Sequence, residues 1–394
     1  MNKTNGVYLI GGVRTAIGGF CGAFESVPAP ALGGVVVKAA VARAGIPAGR
    51  IDEVIFGNVV SAGLGQNVAR QAAIGGGLDP KVGATTVNKV CGSGLKAVML
   101  AAQSIQCGDA SAIVAGGTEN MSRAPYLLER ARSGYRMGNG ELIDAMIRDG
   151  LWDVYSNVHM GSCGDRCAEK YRFTRQQQDD YAATSFKRAI EATAKGLLAL
   201  EIEPVQVKAG RETIMVTEDE NLKKFNEEKL RKLRPAFGEK GTITAGNASS
   251  INDGAAALVV VSTDKVKELG LKPQAKILGY STYAQEPEWF TTAPIGAIAK
   301  LLKILSLKVA DVDLFEINEA FSVVPMAAMK DLGIPHDKVN VHGGAVALGH
   351  PIGASGARTL VTLLNAMKQR GARIGINSLC LGGGEAVAMA VELC

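Results

Sequence analysis

The stretch Gly45-Ile46-Pro47-Ala48-Gly49-Arg50-Ile51-Asp52-Glu53-Val54-Ile55-Phe56 has an echo later in the same chain, Ser306-Leu307-Lys308-Val309-Ala310-Asp311-Val312-Asp313-Leu314-Phe315. Both pass from a turn through an acidic residue into a short apolar run, so Val54 and Leu314 take equivalent places. Gly108-Asp109-Ala110-Ser111-Ala112-Ile113 is echoed by Gly371-Ala372-Arg373-Ile374-Gly375-Ile376, and the helix after Cys91 by a glycine-rich helix start at 351–358. Two similar α/β halves packed together explain these pairs better than one long sheet.

Apolar runs predict strands at 7–10, 51–56, 84–90 and 111–115, the last closed by Gly116-Gly117. Helical spacing predicts helices at 31–44, 66–73 and 94–106. Strands alternating with helices imply an α/β architecture with a largely covered sheet. The pattern returns at 255–261 and continues from residue 277. Between them, residues 122–248 hold most of the polar and charged runs and a predicted long helix at 176–193. This middle reads as an inserted lid, or as ordinary solvated helices and connectors.

Composition narrows the function. A chain of 394 residues, 47% hydrophobic, suffices for two or three packed units. Net charge is only +5, and no Lys/Arg block marks a nucleic-acid arm. The seven cysteines, at 21, 91, 107, 163, 167, 380 and 394, are odd in number in a chain too large to need staples, which implies free thiols in a reducing compartment. Residues 1–8 hold no apolar signal core and no run has the look of a spanning helix, so the expected location is the cytoplasm. Cys163 and Cys167 lack a neighbouring Cys/His pair and make a poor zinc site. The glycine patterns do not follow the logic of a dinucleotide fold.

Four elements carry chemistry. Asn88-Lys89-Val90-Cys91-Gly92-Ser93-Gly94-Leu95 reads as strand, sharp turn and helix. Open N–H groups and the dipole at such a helix start favour thiolate, the nucleophilic form; a small buried hydrophobe is the alternative. His350 lies in Leu348-Gly349-His350-Pro351 at a second helix entrance, placed to take a proton from a cysteine or to donate to an oxyanion, or else merely structural. Cys380 ends an apolar strand ahead of Gly382-Gly383-Gly384, whose N–H groups can cradle negative charge. Glu316-Ile317-Asn318-Glu319-Ala320-Phe321 places polar side chains just beyond another strand end.

Together these elements resemble the thiolase family, of the acetyl-CoA acetyltransferase type, over essentially the whole chain from Val13-Arg14-Thr15 to the Gly382 turn. His159-Met160-Gly161, Arg234-Pro235-Ala236-Phe237 and Thr244-Ala245-Gly246-Asn247-Ala248-Ser249 match family segments around the bound coenzyme. The resemblance implies an α/β thiolase-like fold of two mixed-sheet halves: 1–121 with 249–272, and 273–394, with a loop domain, 122–248, inserted in the first. It implies that Cys91 is acylated by acyl-CoA, His350 activates it, and Cys380 exchanges the α-proton of the second acyl-CoA. Asn318 would hold a water that, with His350, forms one oxyanion hole; the N–H groups of Cys91 and Gly382 would form the other. His159, Met160, Phe237, Ala245 and Ser249 would line the pantetheine channel, with no tightly bound cofactor and coenzyme A and acyl-CoA as substrates and products. The loop at 121–137 resembles the one by which family members form homotetramers, as dimers of dimers.

The chain departs from the family pattern in places. Lys223 and Lys224 stand where an arginine usually meets the nucleotide, and Lys223 is taken as that contact. Trp289 and Phe290 replace a Met-Gly pair on the acyl wall, Glu385-Ala386 follows the glycine turn, and Ser162 to Cys167 replaces a threonine-alanine-glutamate segment. These changes bear on chain length more than on reaction class. The expected activity is reversible condensation of two acetyl-CoA. Its rivals are a broader 3-ketoacyl-CoA thiolase and a non-catalytic acyl-CoA-binding protein of the same fold.

Overall fold

The computed structural model describes residues 6–394; residues 1–5, part of the segment read as free of a signal core, lie outside the described residues. The principal strands are β1 (Val7–Thr15), β2 (Glu53–Gly57), β3 (Gly83–Val87), β4 (Ala112–Asn120), β5 (Asn252–Ser262), β6 (Ala275–Ala284), β7 (Leu314–Ile317), β8 (Ile374–Leu381) and β9 (Glu385–Leu393). With two short pieces, Gly18–Gly19 and Ile202–Glu203, they form one hydrogen-bonded array ordered β3-β2-β4-β5-β1-β6-β9-β8-β7.

The echo in the sequence becomes a two-fold relation in this array. Outward from β1, the next two pairings are antiparallel and the last two parallel. Outward from β6, the pairings with β9 and β8 are antiparallel and that with β7 parallel. A parallel bridge from Phe315 to Val339 then takes the place that β3 holds beside β2. The two sheets meet only where Tyr8 and Leu9 of β1 pair with Lys276 and Ala275 of β6.

Five layers result. Helices α1 (Ala29–Ala44) and α2 (Val68–Gly75) cover the outer face of the first sheet; α6 (Ala293–Leu305) and α7 (Val323–Leu332) cover the second. Between the sheets lie α3 (Ser93–Cys107) and α8 (Ile352–Arg370). Helix α8 is buried all round from Ile352 to Leu364, and the polar side chains in that stretch, Ser355, Arg358, Thr359 and Thr362, are buried with the rest. The central helices cross at glycine: a Cβ on Gly356 would lie 2.2 Å from Leu95 N, and one on Gly94 2.7 Å from Ala357 N. Both helices are therefore in near backbone contact at their N-terminal ends.

The middle segment folds as α4 (Met160–Tyr171), α5 (Arg175–Ala194), a hairpin of Val205–Ala209 with Glu212–Val216, and short turns. Helix α5 starts at a capping box, the Thr174 side chain accepting from Gln177 N while Gln177 Oε1 accepts from Thr174 N. The strand read as ending at Gly116-Gly117 instead runs on to Asn120. Those glycines do not break it. A Cβ on Gly117 would stand 2.1 Å from Gly353 O, so this glycine lets the first turn of α8 press onto the strand, whereas a Cβ on Gly116 would meet Ala256 O of β5 at 2.1 Å.

The middle segment is tied to β1 by charge. Arg14, fully buried, donates from Nε to Glu201 at 2.6 Å and from its two Nη atoms to Asp219 at 2.7 and 2.9 Å. Arg14→Ala strands two buried carboxylates and is expected to cost about 3–5 kcal/mol, read from the urea midpoint at unchanged slope.

Candidate active site

Cys91 stands two residues before α3, on a turn whose Val90 has φ of 45°. A β-branched residue in the left-handed region is strained and persists only where its surroundings fix it. The Cys91 thiol faces two backbone N–H groups, its own and that of Gly382 from the second half. These bonds favour thiolate, as the helix-start reading requires, but they do not win. Burial, with the charge of Glu119 adding to it, pushes the thiol up to about 12. At rest this thiol is neutral.

His350 stands two residues before α8. Its Nδ1 lies 2.6 Å from Ser355 Oγ, and that hydroxyl donates to Pro351 O at 2.8 Å. With the hydroxyl proton so engaged, Nδ1 carries the imidazole proton and donates to Ser355. Nε2 is then a bare acceptor, and Asn318 Nδ2 approaches it at 3.4 Å. Burial first, and Arg358 second, depress His350 to about 3, so the ring is a neutral base at physiological pH. Asn318 Oδ1 is buried without a protein partner.

Cys380 is fully buried near the end of β8, and burial, followed by the charge of Cys91, holds its thiol well above the ordinary range. The Gly382 turn follows, joining β8 to β9.

Cys91 and His350 line one cavity of about 340 Å³. His159, Met160, Phe237, Ala245 and Ser249 line it too. His159 stacks on Phe237 at 4.5 Å, and its Nδ1 accepts from Gly161 N at the start of α4. Ser249 Oγ donates to Ala320 O at 3.1 Å, which leaves its lone pairs for an incoming amide N–H. Lys223 is not brought there: it pairs with Glu218 at 3.1 Å and is mostly exposed. Lys224 instead borders a smaller groove, about 240 Å³, that shares Ala245 and Ser250 with the cavity. Trp289 and Phe290 do not line the cavity either. Trp289 lies under Lys170 at 4.1 Å, and Phe290 packs behind Phe321 at 6.4 Å. Among the described residues no group of three or more His, Cys, Asp or Glu is placed to hold a metal ion.

Two residues escaped the sequence reading. Ser355, within the quoted helix start, orients His350. Glu119, in an apolar strand, accepts from Val59 N, Val60 N and Gly353 N at 2.9–3.2 Å and from Asn58 Nδ2 at 2.9 Å. Burial raises this carboxyl to about 7 despite those bonds. Its bond to Gly353 links the first half to the start of α8. Register explains its place. Gly57 pairs with Gly117 as Ile317 pairs with Ser378, so Asn58 corresponds to Asn318 and Glu119 to Cys380. Cys91 and His350 correspond likewise, each before its central helix.

Comparison with known proteins agrees with this architecture. Residues 7–264 match a family model described as "Thiolase, N-terminal domain", and residues 271–393 one described as "Thiolase, C-terminal domain". Acetyl-CoA acetyltransferase 2 of Arabidopsis thaliana is 55% identical over 390 residues, 98% of this chain and 97% of the relative. Acetyl-CoA acetyltransferases of Schizosaccharomyces pombe and Escherichia coli are each 50% identical, over 388 and 386 residues, with 98% of both chains covered.

A protonated resting thiol has a direct signature. Alkylation of Cys91 by iodoacetamide, followed by peptide mass, is expected to rise about tenfold per pH unit from about pH 7 to 10 without a plateau. A plateau near neutrality would mean a standing thiolate.

Proposed function

The chain belongs to the thiolase family, and from that premise and the one cavity shared by Cys91 and His350 we propose how its residues divide the work. It is an acyltransferase, an acetyl-CoA C-acetyltransferase, which reversibly condenses two acetyl-CoA to acetoacetyl-CoA and CoA. The observation that carries the assignment is that the Cys91 thiol, faced by its own N–H and by that of Gly382 from the second half, lines one cavity with the neutral imidazole of His350.

Cys91 Sγ attacks the carbonyl carbon of the first acetyl-CoA as its proton passes to His350 Nε2. The oxygen on that carbon becomes negative beside the N–H groups of Cys91 and Gly382, each worth about 3–4 kcal/mol if aligned with the transition state. The bond to the CoA sulfur breaks, and that sulfur leaves carrying the Cys380 proton. The resting thiols and imidazole are thereby converted to an acetyl thioester, a Cys380 thiolate and a His350 imidazolium. Cys380 then removes the α-proton of the second acetyl-CoA. Its enolate oxygen is held by His350 Nε2–H and by the water on Asn318. The α-carbon attacks the acetyl-Cys91 carbonyl, the thioester bond breaks, and Cys91 recovers its proton from His350. Every group returns to its starting state, in ping-pong order.

Met160, Phe237, Ala245 and Ser249 guide pantetheine, with His159 stacked on Phe237, and Lys224 rather than Lys223 is the better-placed cation for the nucleotide. The functional units are residues 1–121 with 249–272, the insert 122–248, and 273–394. Assembly as a homotetramer is supported by the exposed Tyr126, Leu128 and Met137 on the loop after β4. Seven free cysteines suit the cytoplasm. No described helix is long and apolar enough to cross a membrane.

Brief exposure to acetyl-CoA is expected to add about 42 Da to the intact protein, the acetyl mass of a covalent intermediate. Cys91→Ala abolishes the adduct, whereas Cys380→Ala still forms it, more slowly for want of the leaving-group proton, and loses condensation; absence of the adduct in the folded wild type would sink the assignment. Across a series of 3-ketoacyl-CoA esters, thiolysis is expected to collapse beyond four carbons, because the cavity is only about 340 Å³ and Phe321, backed by Phe290, forms part of its wall. Undiminished rates with longer chains would exclude that wall.

A further inference from the structure

The two N–H groups that face the Cys91 sulfur come from opposite halves of the molecule, and one of them sits on a turn with little stiffness of its own. Gly382, Gly383 and Gly384 join β8 to β9, the last two at φ of 86° and 81°. Three consecutive glycines carry more conformational freedom than any other triplet. Strand pairing of Leu381 with Glu385 closes the turn at its base, and Gln285 N donates to Gly384 O at 2.9 Å. Neither contact reaches the Cys91 loop.

One side-chain link does. Lys89, two residues before Cys91, pairs through Nζ with Oε2 of Glu385, the residue directly after the glycines. The pair is partly shielded, at 22% and 35% exposure. Packing beneath it is tight, since a Cβ on Gly92 would meet Leu381 at 2.6 Å. Val90, between Lys89 and Cys91, lies in contact range of the Cβ position of Gly382, 3.6 Å. The strained Val90 and the glycine turn therefore face each other, and the ion pair spans the gap above them.

We infer that Lys89 and Glu385 are positioning residues whose ion pair fixes the spacing of the Cys91 and Gly382 N–H donors across the seam between the halves. This rests on the reading of those donors as the oxyanion hole of acyl transfer. A half-exposed ion pair contributes little to global stability. Oxyanion donors, by contrast, lose their effect steeply with small displacements. The pair should hence matter far more to turnover than to folding. Lys96 of α3 stands near Lys89 and is depressed by burial first and by that neighbour second, so loss of Glu385 leaves two cations facing each other.

The test compares the wild type with Lys89→Met, Glu385→Gln and the charge swap Lys89→Glu/Glu385→Lys, by condensation kinetics, intact mass after acetyl-CoA, and thermal melting. Each single variant is expected to lose about fivefold or more in kcat, with KM for acetyl-CoA within about twofold and Tm within about 2 °C of wild type. The swap is expected to return kcat to within about twofold, because the attraction is restored with its ends reversed. Raising the salt should slow the wild type and leave the single variants unaffected. Single variants that keep wild-type kcat, or a swap as slow as the worse of them, would overturn the clamp. If the wild type itself forms no acetyl-Cys91, the oxyanion-hole reading fails and the clamp with it. If it acylates and the variants match it, the clamp alone fails.

Discussion

Near backbone contact between the two central helices is the constraint on which the rest depends. Gly94 and Gly356 let α3 and α8 cross at their N-terminal ends, and Gly117 lets the adjoining strand lie against Gly353. A methyl group at any of these places overlaps backbone rather than a movable side chain. The crossing puts Cys91 and His350, each two residues ahead of its helix, on one cavity.

The same burial decides the electrostatics. A thiol at a helix start beside two N–H groups is usually expected to ionise readily. Here desolvation outweighs those bonds, and Cys91, Cys380 and His350 all rest uncharged. In the proposed cycle charge arises only when substrate arrives, as a His350 imidazolium and a Cys380 thiolate that are both discharged before the cycle ends. Such a centre carries no standing ion pair to be desolvated anew on closure, and its hydrogen-bond donors are already in place.

Much of this was legible in the sequence, for identifiable reasons. The echo around Val54 and Leu314 survives because each segment enters a sheet at the same point and meets the same packing. Helix limits at 31–44 and 176–193 agree with the structure to within two residues, because the signals that bound them are local: Pro30 and Gly45 at the ends of the first and the Thr174 capping box at the start of the second. What failed was non-local. Gly116-Gly117 reads as punctuation unless the approach of Gly353 is known, and nothing near Glu119 announces that four donors converge on it from one loop and a helix. Lys223 and Lys224 are neighbours in sequence, and only the turn at Glu220–Lys224 shows that one borders the groove and the other does not.

The correspondence of Cys91 with His350, and of Glu119 with Cys380, has a consequence for symmetry itself. An assembly of two identical single halves would present the same side chain at both members of each pair: two nucleophiles, or two bases, with nothing opposite to receive the proton. Joining the copies in one chain frees the paired positions to differ while the backbone that aims them stays the same. In the second pair one member is the proposed proton carrier, and the other anchors the neighbouring loop. Chirality of role, absent from the scaffold, is written wholly in which copy kept which side chain.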